Sequence, residues 1–541
     1  MRPLWYRNAL IYQIDPSLFH DADGDGCGDL RGITEWLDYV RGLGATAIWL
    51  MPIYTSPFLD AGYDVSDHMT VDPRFGDLAD LVALLERAEE LGLHVILELV
   101  VQHTSDRHPW FQAARADGAS PYRDYYLWSD EPLQGDAVPI FPTVEDSVWE
   151  WDEQAGQYYR HLFYRHEPDL NLTNPAVVAE IERIMAFWWR LGVSGFRIDA
   201  ASHLVEQAGN GQEKDGFWLL DRLHDFVTLR RPEAILMGEV DVEPERYSEY
   251  FGHGDRLTLL LDFWANNHFF LALARADAEP LRRAIASQPV PPEHARYAVW
   301  MRNHDELDLE RLSAEEREEV MREFAPEPDM QAYGRGIRRR LAPMLDGDPR
   351  RQAMACALLL SLPGTPVLRY GDEIGMGDDL SLPERLSVRT PMQWSGERNA
   401  GFSVAAASQL PAPVIENGPF AYSQLNVYRQ IQDETSLLTH IGKLVRSRIG
   451  LKEIGDGRYQ VLDVDCPAVF AMRYDGSTTL LMLTNLSATE VEVTIRDGDL
   501  QDFVDIQADA RYSSNPQHSS LRLRLNPYGY RWLRHRQRFL G

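Results

Sequence analysis

Three carboxylates, an arginine and two histidines in this chain each lie at or near the end of a short apolar run. An isolated aspartate in such a position usually caps the following helix. Six groups of this kind are harder to explain as caps, because together they offer acids, a fixed cation and hydrogen-bonding rings. The six are His103, Arg197, Asp199, Glu239, His304 and Asp305, and Glu98, Gln102 and Asn303 lie at the same run ends.

Two carboxyl groups of this kind can cleave a glycosidic bond, one as the nucleophile and one as the acid that protonates the leaving oxygen. Arg197 precedes Asp199 by two residues, so both side chains point to the same side of a strand. A nearby guanidinium favours the ionised form of a nucleophile. Glu239 follows the apolar run "ILMG", which predicts a raised pKa suited to the acid. His103 and His304 can donate hydrogen bonds to sugar hydroxyls.

Eight apolar runs, several of them joined by amphipathic helical stretches, predict the scaffold that positions these residues. Near-continuous apolar strands connected by helices indicate parallel strands. Eight such units predict an α/β fold, a (β/α)8 TIM barrel with its active site at the C-terminal strand ends. A doubly wound sheet is the alternative, but no glycine-rich phosphate-binding motif follows a run. The runs span residues 9–15, 45–52, 94–101, 195–200, 234–240, 257–263, 297–305 and 365–371, and the clearest helices span 77–93 and 175–193.

Two interruptions and a change of pattern divide the 541 residues into domains. The barrel is predicted over 1–102 and 173–454. Residues 103–172 show no helical period and predict an insertion domain after the third strand, whereas the charged stretch 306–345 predicts a helical insertion within the barrel. Short alternating strands over 455–541 predict a C-terminal antiparallel β-sandwich domain.

Composition excludes several classes of protein. The net charge of −30 and the pI near 4.9 argue against nucleic-acid binding, because a polyanion would be repelled. The three cysteines are far apart and odd in number, so they indicate no disulfide framework. The first residues lack the apolar core of a signal peptide, and no run of apolar residues is long enough for a membrane span. We therefore expect a cytoplasmic protein with no membrane partner and no organic cofactor.

Five motifs make the chain resemble the α-amylase superfamily, glycoside hydrolase family 13. They are "ELVVQH" ending at His103, "EPDLN" at 167–171, "GFRIDAASH" around Asp199, "MGEV" around Glu239 and "RNHD" ending at Asp305, in the order and spacing of that family. The resemblance covers nearly the whole chain and implies a retaining double displacement. It implies that Asp199 is the nucleophile, Glu239 the acid/base and Asp305 the stabiliser of the transition state.

The resemblance also implies a set of substrate-binding residues. Those expected to hold the sugar in the reacting subsite are His103, Arg197 and His304. In "AGYDVSD", Tyr63 is similar to the stacking tyrosine of the family and Asp64 to the carboxylate that binds a glucose hydroxyl. Asp64 and Arg389, from "VRTPMQWS", are expected to close the pocket around a non-reducing-end glucose.

The stretch "DADGDGCGDL" after the first strand predicts a structural cation site. Its aspartates alternate as in an EF-hand loop, although Gly32 replaces the glutamate that completes a true EF-hand. The candidate ligands are Asp21, Asp23, Asp25 and Asp29 through their carboxylates and Cys27 through its backbone carbonyl. Similar loops of the family hold structural divalent cations, so the resemblance implies Ca²⁺, with Mg²⁺ as a second choice. A plain polar turn is the alternative.

Longer stretches are similar to the branch of the family that converts maltose into trehalose, among them "HTSDRHPWFQAAR", "YRDYYLWSD", "GIRRRLAPMLDGD" and "RTPMQWSGERNAGFS". Such an enzyme must hold the freed glucose while the other glucosyl unit stays bound to Asp199, and it must exclude water. The insertions at 103–172 and 306–345 would suit a lid.

Several positions depart from the family pattern. Glu98 and Gln102 stand where aspartate and asparagine are usual, and Glu167 replaces a common glutamine. Because the family asparagine at the position of Gln102 often supports a second calcium site, Gln102 argues against that site here. The segments after Glu239 and around 257–270 also diverge, which leaves the acceptor open.

Three functions therefore compete at this stage. The first is the intramolecular conversion of maltose into trehalose. The second is an α-glucosidase or transglucosidase that acts on maltose, sucrose or short α-glucans with another acceptor. The third is an inactive carbohydrate-binding or transporter-associated protein on the same fold, which the presence of all three carboxylates argues against. The oligomeric state is also open, and a homo-oligomer is one of the outcomes.

Overall fold

Eight parallel strands close into a barrel in which neighbours in sequence are neighbours in space. The protein is described here by a computed structural model covering residues 4–133, 135–209, 215–456, 458–495, 503–512, 516–517 and 520–536. The strands are β1 (Ile11–Ile14), β2 (Ala47–Leu50), β3 (His94–Leu99), β4 (Gly195–Ile198), β5 (Ile235–Glu239), β6 (Leu259–Leu261), β7 (Arg296–Trp300) and β8 (Thr365–Arg369). Each lies within one of the eight apolar runs or differs from it by one residue, and the predicted (β/α)8 barrel is confirmed.

The strands are apolar along their whole length because both of their faces are buried. On β3, Ile96 belongs to the apolar cluster inside the barrel, whereas Leu97 packs in the layer between strands and helices. Since side chains alternate along a strand, Glu98 lies on the inner face above Ile96. On β5, Glu239 stands in the same way above Met237, which is also in the inner cluster. The strands thus turn their last polar residues inward, at one end of the barrel.

Helices cover the outside of the barrel, and their ends follow ordinary capping rules. The helix Pro175–Leu191 begins with the predicted proline, and the side chain of Asn174 accepts a hydrogen bond from the amide of Ala176. Within the part of the chain that the structure describes, no helix combines the length and apolar character needed to cross a membrane. The main covering helices are Leu30–Leu43, Leu78–Leu91, Pro175–Leu191, Trp218–Thr228, Phe263–Arg275, Pro349–Ser361 and Leu437–Ile449.

The insertion after β3 is partly regular. It contains a helix, Pro109–Ala116, and a three-stranded antiparallel sheet made of Trp128–Ser129, Trp149–Asp152 and Gln157–Arg160. The sequence showed no helical period here because this helix is only eight residues long. Two antiparallel bridges, His103 to Asp169 and Tyr126 to Leu170, tie the start of the insertion to its end.

The insertion after β7 is less helical than its charge pattern predicts. Its longest helix is Ala314–Phe324, which begins with a capping box at Ser313, and the short helix Leu341–Met344 follows at its end. Between the two helices the chain forms most of a small antiparallel sheet of Leu307–Asp308, Gln331–Ala332 and Gly336–Ile337. Strands of two residues carry no readable alternation, so the sequence could not indicate them.

The C-terminal part forms two antiparallel sheets, as predicted. One contains Arg458–Val461, Val469–Asp475, Thr479–Asn485, Phe503–Ala508 and Tyr530–His535, and the other Val491–Ile495, Pro516–Gln517 and Ser520–Leu525. An apolar cluster that includes Leu481, Val493 and Leu523 lies between them. The opposite face of the larger sheet packs on the barrel, where the Tyr474 hydroxyl donates a hydrogen bond to the carbonyl of Ser361.

Candidate active site

A cavity of about 420 Å³ opens at the C-terminal ends of the barrel strands, within the range of roughly 300–1,000 Å³ that is usual for small-molecule sites. The predicted catalytic residues Asp199, Glu239 and Asp305 all line it. So do the predicted sugar-binding residues Tyr63, His103 and His304, together with Asp60, Phe141, Asp241, Glu306, Asp308, Glu310, Arg311, Arg335 and Arg385.

Arg197 joins the carboxylates at the floor of this cavity. Its Nη1 lies 2.9 Å from Glu98 Oε2 and 2.5 Å from Asp199 Oδ1, while Nη2 lies 2.8 Å from Glu239 Oε2. Burial opposes its charge, but Glu239, Glu98 and Asp199 outweigh burial and raise the pKa of Arg197 well above its usual value. Glu98 is in turn bound by the indole Nε1 of Trp49 at 2.8 Å. The guanidinium is therefore permanently charged and held in place.

Two of the three carboxyl groups that Arg197 binds, those of Asp199 and Glu239, differ in exposure. The side chain of Asp199 is 11 % exposed and that of Glu239 is 22 % exposed. Burial raises the pKa of both, against the opposing effect of Arg197. Glu239 Oε2 also accepts a hydrogen bond of 3.0 Å from the amide of Ala200, which has a positive φ of 47°. A raised pKa and access to the cavity suit Glu239 to proton transfer, and the fixed contact with Arg197 suits Asp199 to nucleophilic attack.

Asp305 lies in a more positive environment. Its Oδ2 is 3.0 Å from His304 Nε2, and its Oδ1 is 2.9 Å from both Arg385 Nη1 and Arg389 Nη2. Burial alone would raise the pKa of Asp305, but these neighbours outweigh burial and hold it well below its usual value. Burial lowers the pKa of His304, so this ring is neutral and the arginines supply the charge. Asp305 stays ionised and can stabilise a cationic sugar ring.

Tyr63 and His103 complete the wall of the reacting subsite. The Tyr63 hydroxyl lies 3.0 Å from Glu98 Oε1 and 2.7 Å from His304 Nε2, and its ring stacks on His304. His103 Nε2 lies 3.2 Å from the backbone oxygen of Tyr63, and Nδ1 lies 2.9 Å from Gln102 Oε1. Burial lowers the pKa of His103. The structure thus brings Tyr63, His103 and His304 to the same side of the cavity.

The predicted clamp of Asp64 with Arg389 is wrong. Asp64 is fully buried and fixes its own loop, since it accepts hydrogen bonds from Ser56 Oγ at 2.8 Å and from the amides of Leu59 and Asp60 at 3.0 and 3.1 Å. It is not among the residues that line the cavity. Arg389 supports the site from behind, where its Nε donates to the backbone oxygen of His304 at 2.8 Å.

A neighbouring pair has the geometry that was predicted for the clamp. Arg385 Nη2 lies 2.8 and 2.9 Å from the two carboxylate oxygens of Asp60, and both residues line the cavity. The same guanidinium reaches Asp305, so it joins the loop after β2 to the end of β7. The motif "DAGYD" contains both Asp60 and Asp64, and "PERLSVR" contains both arginines. The motifs were thus present in the sequence, but the residue chosen within each was four positions away.

Comparison with protein-family models identifies the family of this chain. The family model described as the α-amylase catalytic domain matches residues 13–323 and 338–457, which is most of the chain. This chain belongs to the α-amylase family. A second model, described as the sucrose hydrolase-like C-terminal domain, matches residues 477–534.

Several members of the α-amylase family are similar over nearly the whole chain. A trehalose synthase from a Pimelobacter species is 40 % identical over 502 residues, which is 90 % of this chain and 87 % of the relative. A trehalose synthase/amylase from Mycobacterium tuberculosis is 41 % identical over 496 residues, 90 % of this chain and 82 % of the relative. Among solved structures, an α-amylase from H. orenii matches with a TM-score of 0.80 at 25 % identity, over 98 % of this chain and 100 % of that chain. The trehalulose synthase MutB from Pseudomonas mesoacidophila matches with a TM-score of 0.76 at 25 % identity, over 98 % and 99 %.

A group of paired side chains joins the barrel to the first insertion at Gln102. Gln102 Nε2 donates to Asp169 Oδ1 at 2.9 Å, and the guanidinium of Arg160 binds both Asp169 and Asp136. This side chain supplies a positive charge between the barrel and the first insertion. The absence of calcium from this junction stays a prediction.

The predicted cation loop brings together three of its four aspartates. Carboxylate oxygens of Asp21, Asp23 and Asp29 lie within 4.8 Å of one another, which is compatible with Ca²⁺–oxygen distances of about 2.3–2.6 Å. Asp25 is not part of this group, and its Oδ1 accepts a hydrogen bond from the amide of Cys27. Asp29 also caps the helix Leu30–Leu43. The donor set fits a divalent cation, with Asp25 outside it.

Sequence reasoning missed the charged rim on the far side of the cavity. Arg311 Nε lies 3.0 Å from Asp241 Oδ1, and Arg335 Nε lies 2.7 Å from Asp308 Oδ2. Glu306 follows Asp305 directly, and burial raises its pKa to about 7. These residues come from the loop after β5 and the insertion after β7. Their charges alone gave no signal, because the same insertion is charged throughout its length.

Proposed function

We propose that this protein is a retaining glucosyltransferase that isomerises maltose into trehalose within one active site. One observation carries the proposal: a buried Arg197 holds both Asp199 and Glu239 at the floor of the cavity. The substrate comes from similarity, because the chain is 40 % identical over 90 % of its length to a trehalose synthase.

The first half of the reaction opens the glycosidic bond. Asp199 attacks the anomeric carbon of the non-reducing glucose through the oxygen that Arg197 does not hold, and the bond from that carbon to the bridging oxygen breaks. Glu239 gives its proton to that oxygen, which becomes the 4-hydroxyl of the freed glucose. Asp305 stabilises the positive charge that develops on the sugar ring. The product is a glucosyl ester of Asp199.

The second half joins the same two sugars in a new way. The freed glucose turns in the cavity and presents its anomeric hydroxyl to the glucosyl ester. Glu239, now a carboxylate, takes the proton of that hydroxyl while its oxygen attacks the anomeric carbon, and Asp199 leaves as a carboxylate. Two inversions retain the α configuration of the donor carbon, and attack by the α-hydroxyl of the freed glucose gives the α,α-1,1 bond. No step consumes water or an organic cofactor.

The pair of Asp60 and Arg385 gives the donor subsite its closed end. Both charges face the cavity beside Asp305 and can bind hydroxyls of a terminal glucose. A longer chain extending past this glucose would meet the ion pair. The geometry therefore favours short α-glucosides that carry a free non-reducing end.

Product analysis with maltose tests the proposal. Trehalose with little glucose is expected, and added ¹³C-labelled glucose should stay out of the trehalose because the transfer is intramolecular. Asp199→Ala serves as the control and should form neither product. Mainly glucose would instead identify an α-glucosidase, and tri- or tetrasaccharides a transglucosidase with an external acceptor.

We also propose that Ca²⁺, or Mg²⁺ in its place, is held by Asp21, Asp23 and Asp29. Its charge would offset the three clustered carboxylates and fix the loop between β1 and the helix Leu30–Leu43. This role is structural, because the residues that bind sugar lie elsewhere in the barrel mouth.

A further inference from the structure

Two tyrosines from different insertions bind the same carboxylate oxygen above the cavity. The hydroxyl of Tyr164, from the insertion after β3, donates to Glu384 Oε2 at 2.9 Å. The hydroxyl of Tyr333, from the insertion after β7, donates to the same oxygen at 2.7 Å. We call Tyr164, Tyr333 and Glu384 the tyrosine clasp. It links the two insertions through the loop that also carries Arg385.

The clasp supports an aromatic wall of the cavity. Phe141 lines the cavity and stacks on Tyr164 with ring centroids 4.6 Å apart, while Tyr333 lies 4.9 Å away on another side. The Arg385 guanidinium lies 4.9 Å from the Phe141 ring. A loss of the clasp would therefore loosen both an apolar wall and the arginine that binds Asp60.

The backbone of the clasp is unusual at two of its three residues. Tyr333 has φ of 55° and Glu384 has φ of 45°, a left-handed region that side-chain-bearing residues rarely adopt. Such conformations persist only where surrounding contacts hold them, and they concentrate at functional sites. Here the contacts are the two hydroxyl hydrogen bonds and the ring packing. Burial raises the pKa of both tyrosines, so their hydroxyls stay protonated donors at all ordinary pH values.

We propose that the tyrosine clasp sets the share of the glucosyl-enzyme that is captured by the freed glucose rather than by water. This inference rests on the proposed isomerisation, in which the freed glucose must stay in the cavity between the two steps. With the clasp formed, the insertions enclose the cavity and the freed glucose attacks. With the clasp open, the freed glucose escapes and water attacks the anomeric carbon of the glucosyl ester instead. Glu239 takes the proton of that water, Asp199 leaves as a carboxylate, and two glucose molecules replace one trehalose.

Removal of single hydroxyls tests the clasp while keeping the rings. Tyr333→Phe and Tyr164→Phe should each raise the ratio of glucose to trehalose formed from maltose, by about fivefold or more where a hydrogen bond to a charged group is lost. Because the clasp also holds Arg385 in place, total maltose consumption should fall as well, and the product ratio is the readout that tests the clasp. Glu384→Gln retains an acceptor oxygen and should raise the ratio less than Glu384→Ala does.

The matched control is Tyr512→Phe, which removes a tyrosine hydroxyl that donates to the Asp509 carboxylate at 2.7 Å in the C-terminal part. It should leave the product ratio unchanged. Hydrogen exchange of the segment 138–144 supplies a second readout and should accelerate only in the clasp variants.

The outcomes separate the two proposals. The clasp proposal alone is overturned if the wild-type protein forms trehalose but the clasp variants keep the wild-type product ratio and the wild-type hydrogen exchange. An equal rise of the ratio in Tyr512→Phe also overturns it, because general destabilisation would then be the cause. Wild-type protein that forms no trehalose overturns the proposed function itself.

Discussion

Arg197 precedes Asp199 by two residues, and its guanidinium binds the Asp199 carboxylate at 2.5 Å. The same guanidinium holds Glu239 through its other terminal nitrogen. The nucleophile and the acid are therefore coupled through one buried cation, and a proton gained or lost on one changes the pKa of the other.

Glu239→Gln tests the acid role. The amide cannot donate a proton to a poor leaving group, so the rate on maltose should fall by about 10²–10⁴-fold. Glucosyl fluoride needs no such proton, and its first step should keep most of its rate. The measurement is pre-steady-state release of fluoride compared with steady-state consumption of maltose. Equal losses on both substrates would contradict the assignment.

The pH profile follows from the two raised pKa values. Asp199 must be ionised, so the rate falls as pH drops through its pKa; Glu239 must be protonated, so the rate falls as pH rises through its pKa. Because burial raises both pKa values, both limbs of kcat/KM for maltose should lie at higher pH than those of free carboxyl groups. With glucosyl fluoride, the alkaline limb should disappear in Glu239→Gln. An alkaline limb that persists in this variant would assign it to another group.

The corrected donor clamp predicts different effects for two nearby aspartates. Asp60→Asn removes the charge that Arg385 binds and should lower kcat/KM for maltose by roughly 10- to 100-fold, the range for hydrogen bonds between charged groups. Its Tm should stay near that of the wild type. Asp64→Asn instead leaves buried donors poorly paired and should lower the free energy of unfolding by about 1–3 kcal/mol. If Asp60→Asn kept the wild-type kcat/KM while Asp64→Asn was folded but inactive, Asp64 would be the sugar-binding aspartate after all.

The cation loop predicts a stability effect with a matched pair of variants. Chelation should lower the Tm, and Ca²⁺ at 100 times its Kd should restore about 2.7 kcal/mol of unfolding free energy. Asp23→Asn should abolish this dependence, whereas Asp25→Asn, outside the carboxylate group, should retain it. Activity per folded molecule should change little. If neither the chelator nor Ca²⁺ changes the Tm, the loop is a polar turn without a bound cation.

The barrel and its catalytic floor could be predicted because they depend on short-range rules. Arg197 and Asp199 face the same side since two residues separate them along an extended chain. The position of Glu239 at the end of an apolar run predicted the direction of its pKa shift. Eight apolar runs predicted eight strands because a strand that is covered on both faces is apolar along its whole length.

The donor clamp could not be predicted, since it depends on the path of an irregular loop. Between Asp60 and Asp64 the backbone passes through positive φ at Ala61 and Gly62, with values of 51° and 100°. This reversal turns Asp60 toward the cavity and Asp64 into the loop. Residue types alone do not reveal such a turn, so the two aspartates of the motif looked equivalent.

The seam between β1 and β8 has a consequence for synthesis of the chain. Ile11 pairs with Val367 and Gln13 with Arg369. More than two thirds of the polypeptide must therefore be synthesised before β1 can pair with its second neighbour, β8. Until then the edge of β1 has unpaired amides and carbonyls, the arrangement that invites pairing with foreign strands. Contacts between such distant parts of a chain also form slowly. Nearly the whole barrel must therefore leave the ribosome before this edge is covered and its tendency to aggregate is lost. Catalytic activity accordingly appears late in synthesis of the chain.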